Sequence, residues 1–236
     1  MRFYAGAFYR EPTARLDSET PLDPHTIMIV RPQANSYRVD SEVTRLGTKM
    51  LTTAEQFWAM PEPLDKRIEL VNGYVVELLP LTAQQGLIVG NVCRALDEHV
   101  KRSDLGLVFT SGLGFVLGRE PDSVRMTHAS YISWDSFPEG SVPEWFVEGP
   151  PLIAVQVVGP YDRATDLEER VSHFLRAGTQ QMWILWPRSG EVEIWTGDGV
   201  ERRLGPNDPL DGEAVLPGFR VPVTDLFEIP QRPSDL

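Results

Sequence analysis

The sequence predicts an α/β protein built on a mixed β-sheet flanked by helices, and three observations lead there. Residues 152–158 are apolar except for Gln156, the composition of a strand covered on both faces. Asn72-Gly73 separates two β-rich runs, the strongest short-range signal of a hairpin. Two long segments, residues 82–101 and 162–177, carry helical periodicity and divide the strands between them. The order helix, hairpin, helix, several strands, helix, two strands is the pattern of an α/β sandwich.

Each element has its own reason. Residues 1–49 hold Pro12, Pro21, Pro24 and Pro32 and one apolar run at 26–30, and read as an amino-terminal extension. The folded domain is expected over residues 50–228, with a tail at 229–236. Thr52 followed by Glu55 has the capping-box pattern for a short helix with Ala54, Phe57 and Trp58 on its apolar face, stopping before Pro61. The hairpin strands are residues 68–71 and 74–79. In the long helix Ile88, Val92, Leu96 and Val100 recur every four residues, and the helix ends within residues 103–106. Residues 107–110 and 114–117 read as strands joined at Ser111-Gly112, residues 119–122 as a turn, and residues 129–133 as a further strand. Residues 138–151, rich in Pro and Gly, form a loop before the apolar strand at 152–158, the best candidate for the central strand. The second long helix buries Leu167, Val171, Phe174 and Leu175 and stops at Gly178. Residues 182–186 and 191–196 are strands turned at 188–190. Trp183 and Trp186 point to opposite faces of their strand and read as packing residues.

Composition narrows the function classes. With 236 residues and 42% hydrophobic content the chain suffices for one sizeable core. The single cysteine, Cys93, allows neither an internal disulfide nor a zinc site of its own, which points to a reducing compartment and a small buried side chain. No basic start precedes an apolar run, and nothing approaches the roughly 18 apolar residues of a membrane span. A soluble, cytoplasmic protein without a membrane partner is expected. A net charge of -12 opposes general binding to nucleic acid, whose affinity comes from Lys and Arg displacing counterions, but is compatible with a local basic groove.

Several phrases, in order and with consistent gaps, carry a resemblance: Glu69-Leu-Val-Asn-Gly73, Val124-Arg-Met-Thr-His-Ala129, Pro160-Tyr-Asp162, Gly178, Trp183 and Leu216-Pro-Gly-Phe219. Together, from about residue 51 to 227, they resemble the bacterial Uma-two family of restriction-endonuclease-like proteins. The resemblance implies a PD-(D/E)xK core, a central mixed sheet flanked by helices, that cuts DNA with a divalent cation, and it implies a homodimer. In the family pattern the first acid follows a proline, where this chain has Thr127-His128. The second lies in a Val-Glu-Val phrase, here Val155-Gln156-Val157, and the lysine position is Arg170. A family His before the long helix is Gln85 here, and Trp186 replaces a common Asp before Pro187. Glu69, the acid of the hairpin, is retained.

Phosphodiester hydrolysis pushes water onto an anionic phosphate, so a hard cation must neutralise charge and acidify the water while an ammonium assists. Gln156 keeps the shape of Glu with a neutral oxygen. His128 suits Zn²⁺ or Ni²⁺ better than Mg²⁺. Arg170 keeps the positive charge but cannot release a proton. Asp, Glu and Lys sum to a charge of about -1, whereas neutral His128, Gln156 and Arg170 sum to about +1, so the pocket's preference inverts from cation to anion.

Simpler readings stand beside this one. Gln156 reads equally as a buried amide satisfied by backbone neighbours, His128 as a packed or surface histidine, and Arg170 as the i, i+4 partner of Asp166. Asp166, Glu168 and Glu169 read as a solvated face. The leading expectation is a catalytically degenerate nuclease-like protein that needs no cofactor and binds DNA or another anionic ligand without metal. One alternative is an active endonuclease in which Glu69, Asp162 and His128, or Asp166 in place of His128, hold Mg²⁺, Mn²⁺ or a transition metal. A third is an interaction module whose acidic surface engages a basic protein.

Overall fold

The computed structural model describes residues 51–61, 67–137 and 141–230. The expected extension at 1–49 and all but the start of the expected tail lie outside the described residues. The predicted hairpin forms from β1 (Arg67–Val71) and β2 (Tyr74–Leu78). Asn72 and Gly73 both take positive φ, 50° and 78°, the backbone a two-residue turn between twisted strands requires. This hairpin is the edge of a five-stranded sheet with β4 (Gly114–Gly118), β5 (Ser123–Met126) and β7 (Val147–Glu148), ordered β2-β1-β5-β4-β7. The strands β5 and β7 were not anticipated: β5 is four residues long, and β7 is two residues within a loop rich in Pro and Gly.

A second, six-stranded sheet contains β3 (Gly106–Thr110), β6 (Ala129–Ser133), β8 (Ile153–Val157), β9 (Gln181–Trp186), β10 (Glu191–Thr196) and β11 (Gly199–Leu204). Its order is β11-β10-β9-β8-β6-β3, with β8 parallel to β9 and antiparallel to β6, so it is mixed and β8 lies in its interior as expected. β3 and β4, consecutive through Ser111-Gly112, therefore belong to different sheets. A two-stranded sheet, β12 (Pro209–Gly212) and β13 (Leu216–Pro222), and a short helix close the described chain.

The helices begin where their caps fall. α1 (Ala54–Trp58) is capped by Thr53 and Gln56 rather than Thr52 and Glu55. The Ala54 N–H donates to Asp122 Oδ2 at 2.8 Å, which anchors the helix start one residue later. Glu55 is turned outward to Arg119. α2 (Ala83–Ser103) has a capping box of Thr82 and Gln85, and α3 (Ala164–Ala177) ends at Gly178 with φ 114°. α3 starts two residues after Asp162, because that carboxylate is used in the preceding turn, accepting from the Gly159 N–H at 2.8 Å.

Packing is layered. α2 and the carboxy-terminal hairpin cover one face of the six-stranded sheet through Ile88, Val92, Leu96, Val155, Trp183 and Phe219. Its other face, with Ala154, Met182 and Ile184, packs on α3 through Leu167, Val171 and Phe174. Trp183 and Trp186 accordingly lie in different cores. α3 is also covered by Phe115 of the five-stranded sheet, whose opposite face is closed by α1. Cys93 is buried, and burial, with Asp97 nearby, pushes its thiol up to about 11. Among the described residues no helix is long and apolar enough to cross a membrane.

Candidate functional site

The site forms where the chain passes from one sheet to the other. β5 ends at Met126 and β6 begins at Ala129, so Thr127 and His128 are the link between sheets. In β1, Ile68 and Leu70 face α1, which leaves Arg67 and Glu69 on the α3 side by strand alternation. Val124 shares the α1 side, so Arg125 joins Glu69, and α3 supplies Arg170.

Glu69 is the centre of this cluster and is fully buried. Arg170 grips it with both arms, Nη1 to Oε1 at 2.7 Å and Nη2 to Oε2 at 2.9 Å, in the fork geometry suited to a carboxylate. Oε1 also accepts the Met126 N–H at 2.7 Å, and Arg125 Nη1 approaches Oε2 at 3.4 Å. Burial alone would push Glu69 up, but Arg170 and Arg125 outweigh it and hold the carboxyl below the usual range. Arg170 also donates to the Met126 carbonyl at 2.8 Å. Its ion pair is thus with Glu69, across 101 residues of chain, and not with Asp166 one turn away. Removing one partner of such a buried pair costs on the order of 3–5 kcal/mol, because the other charge stays enclosed.

His128 is packed, 5% exposed, and joined to both neighbours of Gln156. Its backbone N–H donates to Val155 O at 2.9 Å, and its Nδ1 accepts the Val157 N–H at 3.0 Å. An Nδ1 that accepts leaves the ring proton of the neutral imidazole on Nε2. Burial first, then the charges of Arg67 and Arg170, push His128 down to about 3, so the ring is neutral at ordinary pH. Gln156 is 8% exposed and lies on the α3 side of β8, because Ile153, Val155 and Val157 fill the α2 core. One reading has its amide satisfied by backbone neighbours; among the described residues no hydrogen bond reaches it. Gln85 closes the same strand end, donating from Nε2 to Val157 O at 3.0 Å.

Two contributors escaped the sequence reading. Arg125 is buried and bridges Glu69 to Glu169 and His173, with contacts of 2.9 Å to Glu169 and 3.2 Å to His173 Nδ1. Arg67 donates to the Ser111 hydroxyl at 3.2 Å. The polar-apolar alternation of Arg67-Ile-Glu-Leu70 was the available signal, but an alternating polar face ordinarily means solvent.

The donors here do not fit a divalent cation. Both oxygens of Glu69 are taken by guanidinium groups, Gln156 is neutral, and the His128 lone pair at Nδ1 is used while Nε2 carries the proton. Asp162 is exposed and committed to its turn. Among the described residues no three His, Cys, Asp or Glu side chains gather to hold a metal, so Glu69, Asp162 and His128, the ligands of the alternative endonuclease site, are not brought together, nor are Glu69, Asp162 and Asp166.

Comparison with known proteins follows the same outline. The model of the Uma2 family, described as "Putative restriction endonuclease", matches residues 54–224, well over half of the chain. The chain belongs to this family. A crystal structure of a putative nuclease from Anabaena variabilis is similar, with a TM-score of 0.65 and 18% identity, covering 74% of this chain and 97% of that one. At that identity the likeness shows the shared fold. No curated protein matches. In this Uma2 chain, then, a restriction-endonuclease-like scaffold of mixed sheets and flanking helices carries an arginine-clamped glutamate beside His128 and Gln156.

Proposed function

We propose that this Uma2 protein has given up metal-dependent strand cleavage and uses the same site to bind an anion without metal, the phosphate backbone of DNA being the ligand class its family suggests. The observation that carries this reading is the Arg170 fork on Glu69, the acid most suited to a metal. A carboxylate neutralised by two guanidinium groups has little attraction left for Mg²⁺ or Mn²⁺. Around it stand Arg67, Arg125 and Arg170 against Glu69 and the half-exposed Glu169, with His128 neutral. The local balance is one positive charge in a chain whose total is -12. A protonated guanidinium at position 170 can hold an oxyanion or a carboxylate but cannot exchange a proton with water.

A supercoiled-plasmid assay tests the reading. With Mg²⁺ or Mn²⁺ the plasmid is expected to stay supercoiled, while a labelled oligonucleotide binds equally with and without EDTA. Metal-dependent nicking that disappears in Gln156→Ala would overturn it.

A further inference from the structure

We propose that the ligand's oxyanion, of the phosphate class, is received by Arg67, with the Nε2–H of His128 and the side-chain amide of Gln156 as hydrogen-bond donors, while Arg125 and Arg170 serve as internal scaffolding. This rests on the metal-independent reading above and assigns the contacts within it.

The argument is one of elimination and then of convergence. Arg170 spends both arms on Glu69 and the Met126 carbonyl, and Arg125 spends its own on Glu69, Glu169 and His173. Glu69 thus fills from inside the receptor that two arginines would otherwise offer a ligand. Arg67 differs. Among the described residues its side chain makes one hydrogen bond, to Ser111 Oγ, and no ion pair. It shares the α3 face of β1 with Glu69, and the antiparallel register Leu70↔Val124, continued three residues, brings Arg67 level with Thr127, next to His128.

Two donors without partners stand there. Among the described residues His128 Nε2, which carries the ring proton, has no hydrogen bond, and the Gln156 amide has none. Both side chains are more than nine-tenths buried, yet neither is among the unpartnered groups sealed from solvent, so both still meet it. The Thr127 hydroxyl beside them is sealed and unpartnered. These donors come from β1, the inter-sheet link and β8, three separate directions. A tetrahedral oxyanion can accept from three directions at once, whereas a planar carboxylate is best met by a single fork such as Arg170 already gives Glu69. Free phosphate and a phosphodiester share this chemistry.

The test measures inorganic phosphate by calorimetry and a labelled oligonucleotide by anisotropy, both in EDTA, with melting temperature as the control for folding. Among the described residues Arg67→Gln breaks one side-chain hydrogen bond, that to Ser111, and removes a charge near Glu69 and His128; it is expected to weaken binding about tenfold or more, the loss of one charged hydrogen bond. A loss in both arms supports the site for either source; a loss with the oligonucleotide alone identifies a phosphodiester, and with phosphate alone a small phosphate. If the wild-type protein binds neither probe, the metal-independent reading falls and this inference with it. If it binds and folded Arg67→Gln binds equally well, the inference falls alone. Should Arg67→Gln not fold, Gln156→Glu decides: a carboxylate among these donors is expected to cost at least about tenfold, and unchanged affinity overturns the proposal.

Discussion

Glu69, Arg170 and His128 show how single residues changed meaning once their partners were known. Glu69 keeps its charge despite full burial because two arginines and one backbone N–H satisfy it. His128 does the opposite and gives up its charge. Its ring is pushed to about 3 in the folded protein, whereas an unfolded chain takes up that proton near 6.5. Between those values the unfolded state binds the extra proton, so this contribution to stability is fully present above about pH 6.5 and falls as pH drops, by at most about 1.4 kcal/mol per unit. His128→Asn keeps a hydrogen-bonding side chain without the titration. Its urea midpoint is expected to vary less than that of wild type between about pH 5 and 6.5; an identical slope would show that another group sets it.

At the scale of elements, the end of β8 is clamped from both sides. The Val157 N–H is held by His128 from the inter-sheet link, and its carbonyl by Gln85 from the first turn of α2. Gln85 also completes the Thr82 capping box, accepting from the Thr82 N–H at 3.0 Å. A Cβ at Gly159, just beyond, would lie 2.9 Å from Gln85 Nε2, so a side chain there would displace the Gln85 amide from this clamp. Gln85→Ala removes a cap and leaves a strand carbonyl without this donor, so a loss of about 1–3 kcal/mol is expected in urea unfolding. A loss below about 0.5 kcal/mol would mean the clamp is redundant. The helices and most strands were legible in the sequence because periodicity, the Asn72-Gly73 turn and Gly178 are local signals. β5 and β7 were not, because strands of four and two residues are too short to show a period, and neither were β11, β12 and β13, whose charged residues, prolines and glycines hide any alternation.

The whole molecule sets how strongly any nucleic acid is held. A chain of net charge -12 repels a polyanion, and the site adds a local excess of one positive charge. Binding to DNA should therefore rest on one or two phosphate contacts. Each contributes a slope of about -0.9 to the dependence of log affinity on log salt, so anisotropy titrations between about 50 and 200 mM salt should give a slope no steeper than about -2. A slope of about -6 would reveal a distributed basic surface instead. The two-sheet architecture also explains why the site sits in the interior: α3 packs against both sheets, and from it Arg170 reaches Glu69 and Met126 of the five-stranded sheet.

The sequence by itself determined the fold class, the interior position of β8, the hairpin, the two long helices and the chemical identity of His128, Gln156 and Arg170, since these follow from local periodicity, turn chemistry and side-chain type. Only the tertiary structure decided the partners. Arg170 bonds to Glu69 rather than Asp166, Arg125 enters the site from an unanticipated strand, and Gln156 has, among the described residues, none of the backbone partners that one reading gave it. The physical reason is that a charge buried between two sheets must be compensated by whatever the folded chain brings within about 4 Å, and such neighbours come from positions 44 to 101 residues apart, a separation no local pattern records.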